Sequence, residues 1–227
     1  MTESAPTLVA QHALEYIPDG AVVGLGTGRA ATAFVQALGA RCRSGLRVRG
    51  VPTSQVTADL AVQLGIPLVA LDAIAHIDVT VDGADEVDPQ LNLIKGYGGA
   101  LVREKIVAAA SRRMIVLVGS EKLVPVLGTR GKLPVEVVPF GAAFCARRLA
   151  DLGLPATLRQ HDGAPVMSDN GNRILDCQVA PIANPQALEQ RVVAIPGVVG
   201  TGLFLGMAEI ILIDDGHTVQ IRERSPR

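Results

Sequence analysis

Short continuous apolar runs alternate along this chain with segments whose apolar residues recur at helical spacing. Residues 8–16 have that helical spacing and stop before the turn Pro18-Asp19-Gly20. Residues 21–25 form a continuous apolar run, the mark of a buried strand. That run enters Gly26-Thr27-Gly28, and the spacing over 30–38 predicts a helix. The alternation then repeats, with strands over 46–51, 66–70, 77–81 and 114–118 and helices after Ser54 through Leu64 and over 101–110. Strands separated by helices of about ten residues predict βαβ units on a mostly parallel sheet. In such sheets ligands bind at the tips that follow the strands.

After Lys132 the pattern changes. Residues 135–139 and 156–159 read as strands, with a helix over 142–152 between them that Gly153 ends. Residues 166–168 and 173–176 flank Asp169-Asn170-Gly171-Asn172, a hairpin signal. A helix over 185–195 and a strand over 198–204 complete the order β-α-β-β-α-β of a ferredoxin-like domain. Strands over 209–213 and 218–222 surround Asp214-Asp215-Gly216 and are expected to rejoin the first sheet. The fold class is therefore α/β: a doubly wound, mostly parallel, Rossmann-like sheet with a smaller α+β ferredoxin-like domain inserted. The expected boundaries are 1–131 with 207–227 for the first domain and 132–206 for the second.

Composition narrows the function. The chain has 227 residues, a net charge of -1, six aromatics and no Trp, so neither a basic nucleic-acid face nor a base-stacking platform is expected. No stretch of ~18 uncharged apolar residues is present to span a membrane. Residues 1–20 hold no Lys or Arg ahead of an apolar run, which argues against a secretory signal. Cys42, Cys145 and Cys177 are odd in number and far apart, which fits reduced thiols in a cytoplasmic protein better than a disulfide framework or a zinc site.

The candidate chemistry is concentrated in one region. Asp82-Gly83-Ala84-Asp85 closes the strand over 77–81, and Gly83 permits a sharp turn that could aim both carboxylates into one cleft. Asp also favours turns by bonding its own backbone, so that alone decides little. Glu86 and Asp88 raise a metal reading, but the spacing of a calcium loop is absent, and no metal is expected. Lys95-Gly96-Tyr97-Gly98-Gly99 runs into the next helix, whose first turn carries Glu104. The glycines allow backbone N–H groups to approach a ligand closely, and Lys95 sits at the loop entrance. Gly24-Leu25-Gly26-Thr27-Gly28 ends a strand and opens a helix, a place for phosphate, without the spacing of a dinucleotide fingerprint or a P-loop. Paired carboxylates, a lysine, backbone donors and a further glutamate suit proton transfer on a small anionic substrate.

Taken in order, these motifs closely resemble type A ribose-5-phosphate isomerase over nearly the whole chain. Besides those quoted, the resemblance includes Pro52-Thr53-Ser54, Glu121-Lys122, Leu133-Pro134-Val135-Glu136-Val137-Val138-Pro139 and Ile195-Pro196-Gly197-Val198-Val199. It implies interconversion of ribose 5-phosphate and ribulose 5-phosphate without metal or organic cofactor, and a homodimer or homotetramer. It further implies Glu104 as the carbon base, with Asp82, Asp85 and Lys95 handling hydroxyl protons and the oxyanion. Substrate binding would fall to Thr27, Gly28, Arg29, Ala30, Gly83, Ala84, Gly96, Tyr97, Gly98 and Lys122. Three departures stand out: Arg29-Ala30 where the family has Ser-Thr, no N-terminal lysine near the phosphate, and Tyr97 where glycine is usual. Arg29 is expected to replace the lost phosphate donors. A coenzyme A transferase on a related fold leaves the paired Asp82 and Asp85 unexplained, and a sugar-phosphate sensor has no use for the proton-transfer residues.

Overall fold

A computed structural model describes residues 7–224. In chain order the elements are α1 (Leu8–Ala13), β1 (Val22–Leu25), α2 (Arg29–Arg43), β2 (Arg49–Pro52), α3 (Gln55–Gln63), β3 (Ile77–Gly83), β4 (Glu86–Val87), β5 (Leu93–Ile94), α4 (Leu101–Ala109) and β6 (Ser111–Gly119). Then follow β7 (Lys132–Val137), α5 (Ala142–Asp151), β8 (Ala156–Leu158), β9 (Gln160–His161), β10 (Ala164–Pro165), β11 (Arg173–Gln178), α6 (Pro185–Val193), β12 (Val198–Thr201), β13 (Leu203–Phe204), β14 (Ile210–Asp214) and β15 (Val219–Glu223). The chain divides into two compact units. One comprises Met1–Ala84, Arg103–Lys122 and Met207–Arg227; the other Asp85–Val102 and Leu123–Gly206. The second unit thus takes in Asp85–Val102, inside the sequence-based first domain; residues 1–6 and 225–227 of that domain lie outside the described residues.

The first unit is built on a six-stranded sheet in the order β15-β14-β6-β3-β1-β2. Every pairing is parallel except β14 with β15, the closing antiparallel edge. All four residues of β1 are buried, as the uninterrupted run Val22-Val23-Gly24-Leu25 requires for a strand covered on both faces. Phe34, Val35, Ala37 and Leu38 of α2 join Val23, Leu25, Val79, Val81, Ile115 and Leu117 in the main core. The helix α2 continues past Leu38 to Arg43, stopping before Gly45 at φ +107°. Residues 66–70 do not form the expected strand. Only Leu68 bridges to Gly50, because Pro67 has no N–H to give a ladder and the chain then turns at Leu71–Ala73.

In the second unit a four-stranded antiparallel sheet runs β12-β7-β11-β8, the ferredoxin-like order, with α5 and α6 packed on it. Leu133, Val135, Val137, Cys145, Leu149, Leu175, Cys177 and Val192 form its core. The expected strand over 198–204 is broken in two: β12 pairs with β7, whereas β13 pairs with β5 in a separate three-stranded sheet. The partner changes at Gly202, whose N–H donates to Pro134 O of β7 and whose carbonyl accepts the N–H of Lys95 next to β5; a Cβ there would overlap the Lys95 carbonyl oxygen. The expected strand over 166–168 is reduced to one bridge, Met167 with Arg173. The regular hairpin is instead β9–β10, turned by Asp162 and Gly163 at φ 52° and 76°. Two successive positive φ angles are what an Asp-Gly hairpin turn supplies.

Candidate functional site

In the first unit the tips of β1 and β3 lie side by side, with Leu25 opposite Val81. This register places the loop after β1 against Asp82. The Asp82 carboxylate is fully buried, and its Oδ1 accepts from the N–H of Thr27 at 3.2 Å and of Gly83 at 2.7 Å. Gly26 is required here because a Cβ would collide with that carboxylate. The Thr27 hydroxyl lies 2.7 Å from Thr53 Oγ1, 2.7 Å from Ser54 Oγ and 3.1 Å from Thr57 Oγ1. Thr53 and Thr57 donate to the carbonyls of Leu25 and Gly26, so four hydroxyls lock the loop from below. Gly28, at φ +108°, precedes α2, whose first turn carries no acidic residue and leaves Gly28 and Arg29 exposed. The unpaired N–H groups of a helix start suit an anion. Gly83 lies against Ala30, which a Cβ on the glycine would meet at 3.7 Å. Glu104 is in the first turn of α4 and only 4% exposed, and Lys122 closes the short helical turn after β6.

In the second unit Asp85 and the glycine loop are joined directly. The Asp85 N–H donates to Ile94 O at 2.8 Å, and Asp85 Oδ2 accepts the Tyr97 N–H at 3.0 Å. Lys95 is 3% exposed; its N–H donates to Gly202 O at 2.8 Å, and its ammonium lies 5.4 Å from the centre of the Phe204 ring. Gly96 and Gly99, at φ +100° and +94°, carry a tight turn closed by Gly99 N–H on Gly96 O. Gly98 is exposed at its tip. The side chain of Tyr97 packs with the core of this unit, and its hydroxyl donates to Lys132 O at 3.3 Å. Burial, reinforced by the negative charges of Glu86 and Asp85, pushes its hydroxyl pKa up to about 12, so it remains a donor.

Glu86 and Asp88 serve the backbone of the same unit. Glu86 is fully buried and accepts the N–H groups of Gly128 at 2.6 Å and Arg130 at 2.8 Å. Asp88 accepts from the N–H groups of Gln90 and Asn92 and from the Asn92 amide. Among the described residues no group of three or more His, Cys, Asp or Glu could hold a metal ion. Replacing Glu86 by Ala leaves the Gly128 N–H without its acceptor, a loss of about 1–3 kcal/mol, expected as a lower midpoint in urea unfolding.

Residues 49–217 match the family model of ribose 5-phosphate isomerase A (phosphoriboisomerase A). The ribose-5-phosphate isomerase A of Roseiflexus sp. (strain RS-1) is 55% identical over 207 residues, covering 90% of this chain and 89% of that protein. This chain belongs to the ribose 5-phosphate isomerase A family. The structure of ribose 5-phosphate isomerase A from Methanocaldococcus jannaschii superimposes with a TM-score of 0.91 at 41% identity, covering 95% of this chain and 96% of that one. A D-ribose-5-phosphate isomerase structure in complex with phospho-erythronic acid does so with a TM-score of 0.92 at 40% identity, covering 95% and 96%. The stretch matched to the ribose 5-phosphate isomerase A family holds Asp82, Asp85, Lys95, Glu104 and Lys122, while the Gly-Thr-Gly loop precedes it. Among the described residues, no helix is long and apolar enough to cross a membrane.

Proposed function

We propose that this chain interconverts D-ribose 5-phosphate and D-ribulose 5-phosphate through an enediolate, with Glu104 as the base at carbon. The observation that carries this is membership of the ribose 5-phosphate isomerase A family, with a relative matched over about nine-tenths of the chain. A proton next to a carbonyl is weakly acidic, so the reaction needs both a placed base and stabilisation of the oxygen that becomes negative. Glu104 takes the proton from C2 and returns it to C1. Between those steps the C1 oxygen gains a proton and the C2 hydroxyl loses one, which turns the aldose into the ketose with no net change in atoms. Asp82 and Asp85 exchange the hydroxyl protons and assist ring opening. Lys95 and the Gly98 N–H of the glycine loop stabilise the oxyanion, while the Tyr97 N–H holds Asp85. The burial of Asp82, Lys95 and Glu104 supports these roles, because charge interactions strengthen away from water.

The phosphate is bound by Thr27-Gly28, the start of α2, Arg29 and Lys122. Arg29 is exposed beside open helix N–H groups, a place where its forked donors reach an anion. Arg29→Ala is expected to raise KM for ribose 5-phosphate about tenfold with little change in kcat, the signature of lost ground-state binding. An unchanged KM would remove Arg29 from the site. The working form is a homodimer or homotetramer, which would cover exposed apolar side chains such as Phe140 and Phe144. The function itself is tested by following ribulose 5-phosphate formation from ribose 5-phosphate after EDTA treatment. Robust turnover is expected, and its absence would favour the transferase or sensor.

A further inference from the structure

The glycine loop is fastened by a residue whose type and position in the sequence gave no sign of it. Arg159, just past β8, forks onto Asp176 of β11: Nε donates to Oδ2 at 2.9 Å and Nη2 donates to Oδ1. The pair is well shielded, with 11% and 18% of the two side chains exposed. The remaining nitrogen, Nη1, donates to two consecutive backbone carbonyls, Gly96 O at 2.9 Å and Tyr97 O at 3.0 Å. Across a trans peptide the C=O and N–H point in opposite directions. Holding both carbonyls on Arg159 therefore turns the two N–H groups of the same peptides to the opposite side. One of these, Tyr97 N–H, lands on Asp85 Oδ2 at 3.0 Å. The other, Gly98 N–H, makes no hydrogen bond among the described residues and sits at an exposed position.

We propose that Arg159, braced by Asp176, is a positioning residue for the isomerisation: it sets the two peptide planes so that Gly98 N–H faces the substrate oxyanion and Tyr97 N–H holds Asp85. The inference rests on the proposed function, from which Asp85 and the loop take their roles. The Tyr97 side chain completes the clamp. Its ring is capped by the Lys132 ammonium 4.3 Å from the centroid, and that ammonium lies 3.6 Å from Asp176 Oδ2. Tyr97 thus ties the loop to the same Asp176 through Lys132.

The test compares wild type, Arg159→Gln and Arg159→Lys by steady-state kinetics, thermal unfolding and amide hydrogen exchange. In Arg159→Gln kcat is expected to fall about 10–100-fold, the scale of a misplaced or lost donor. KM should stay within about threefold, since no ground-state contact is removed. Exchange of the 95–99 amides should rise while that of β7 and β11 holds. Arg159→Lys, with one ammonium and no fork, should recover part of kcat. A folded Arg159→Gln with unchanged kcat, or a loss that only tracks the folded fraction, overturns the proposal, as does unchanged exchange of the loop. Should Arg159→Gln fail to fold, Asp176→Asn loosens the brace at equal volume; it must lower kcat without raising KM, and an unaltered kcat refutes the clamp. Exchange is read whether or not the protein turns over. Inactive wild type would therefore sink the proposed function and still leave the clamp to be decided by the loop amides.

Discussion

Glu104→Gln is expected to lower kcat for ribose 5-phosphate by at least about 10²-fold, within the 10²–10⁴-fold range of a placed general base. The amide keeps the size of the side chain and removes its proton affinity, so KM should change little. At 4% exposure Glu104 stands where water cannot readily replace it as a base. The change also removes a carboxylate from the first turn of α4, where the helix dipole favours negative charge. The helix-dipole share of the stability cost is about 0.3–1 kcal/mol, and thermal unfolding reads the whole cost separately. Retention of kcat within a few-fold would dismiss Glu104 as the base.

Lys95→Met should be the second large effect, a fall in kcat of about 10²–10³-fold, the usual cost of losing one oxyanion donor. Methionine preserves the length of the side chain and its packing near the Phe204 ring, while the ammonium that lies 5.4 Å from it disappears. The backbone tie from Lys95 N–H to Gly202 O is untouched by the substitution, so the loop should keep its place. Steady-state kinetics with folding checked by circular dichroism decides this. A variant that loses substrate binding but not turnover would assign Lys95 to the ground state.

The parallel sheet was legible because β1 and the part of β6 from Met114 to Val118, covered on both faces, must be continuously apolar. What stayed hidden depends on distant partners. The break between β12 and β13 falls where Gly202 passes from Pro134 to Lys95 as its backbone partner, two neighbours far away in sequence. The hairpin at Asp162-Gly163 carries an Asp-Gly turn signal, close in sequence to the longer one at Asp169-Asn170-Gly171-Asn172. That second turn is real and is tied to the buried Glu136 through Ser168 and Asn172. In the candidate site, residue types and order pointed to Asp82, Asp85, Lys95 and Glu104. Glu86 and Asp88, of the same types, hold backbone N–H groups of their own unit, and only their hydrogen bonds reveal it. Arg159 gave no sign in the sequence, because an arginine past a short strand looks like any surface cation until Asp176 and the loop carbonyls surround it.

The proposed isomerisation moves a proton through an exchangeable carboxyl group, and turnover in D2O measures that directly. Ribose 5-phosphate is brought to equilibrium with the EDTA-treated protein and held there for many turnovers, and the sugar phosphates are then read by NMR. Deuterium accumulating at C1 of ribulose 5-phosphate and at C2 of ribose 5-phosphate is the expected result, because a base that exchanges with solvent at any rate leaves the label behind. Full interconversion with no deuterium at either carbon, the outcome of a direct hydride shift, would contradict the mechanism.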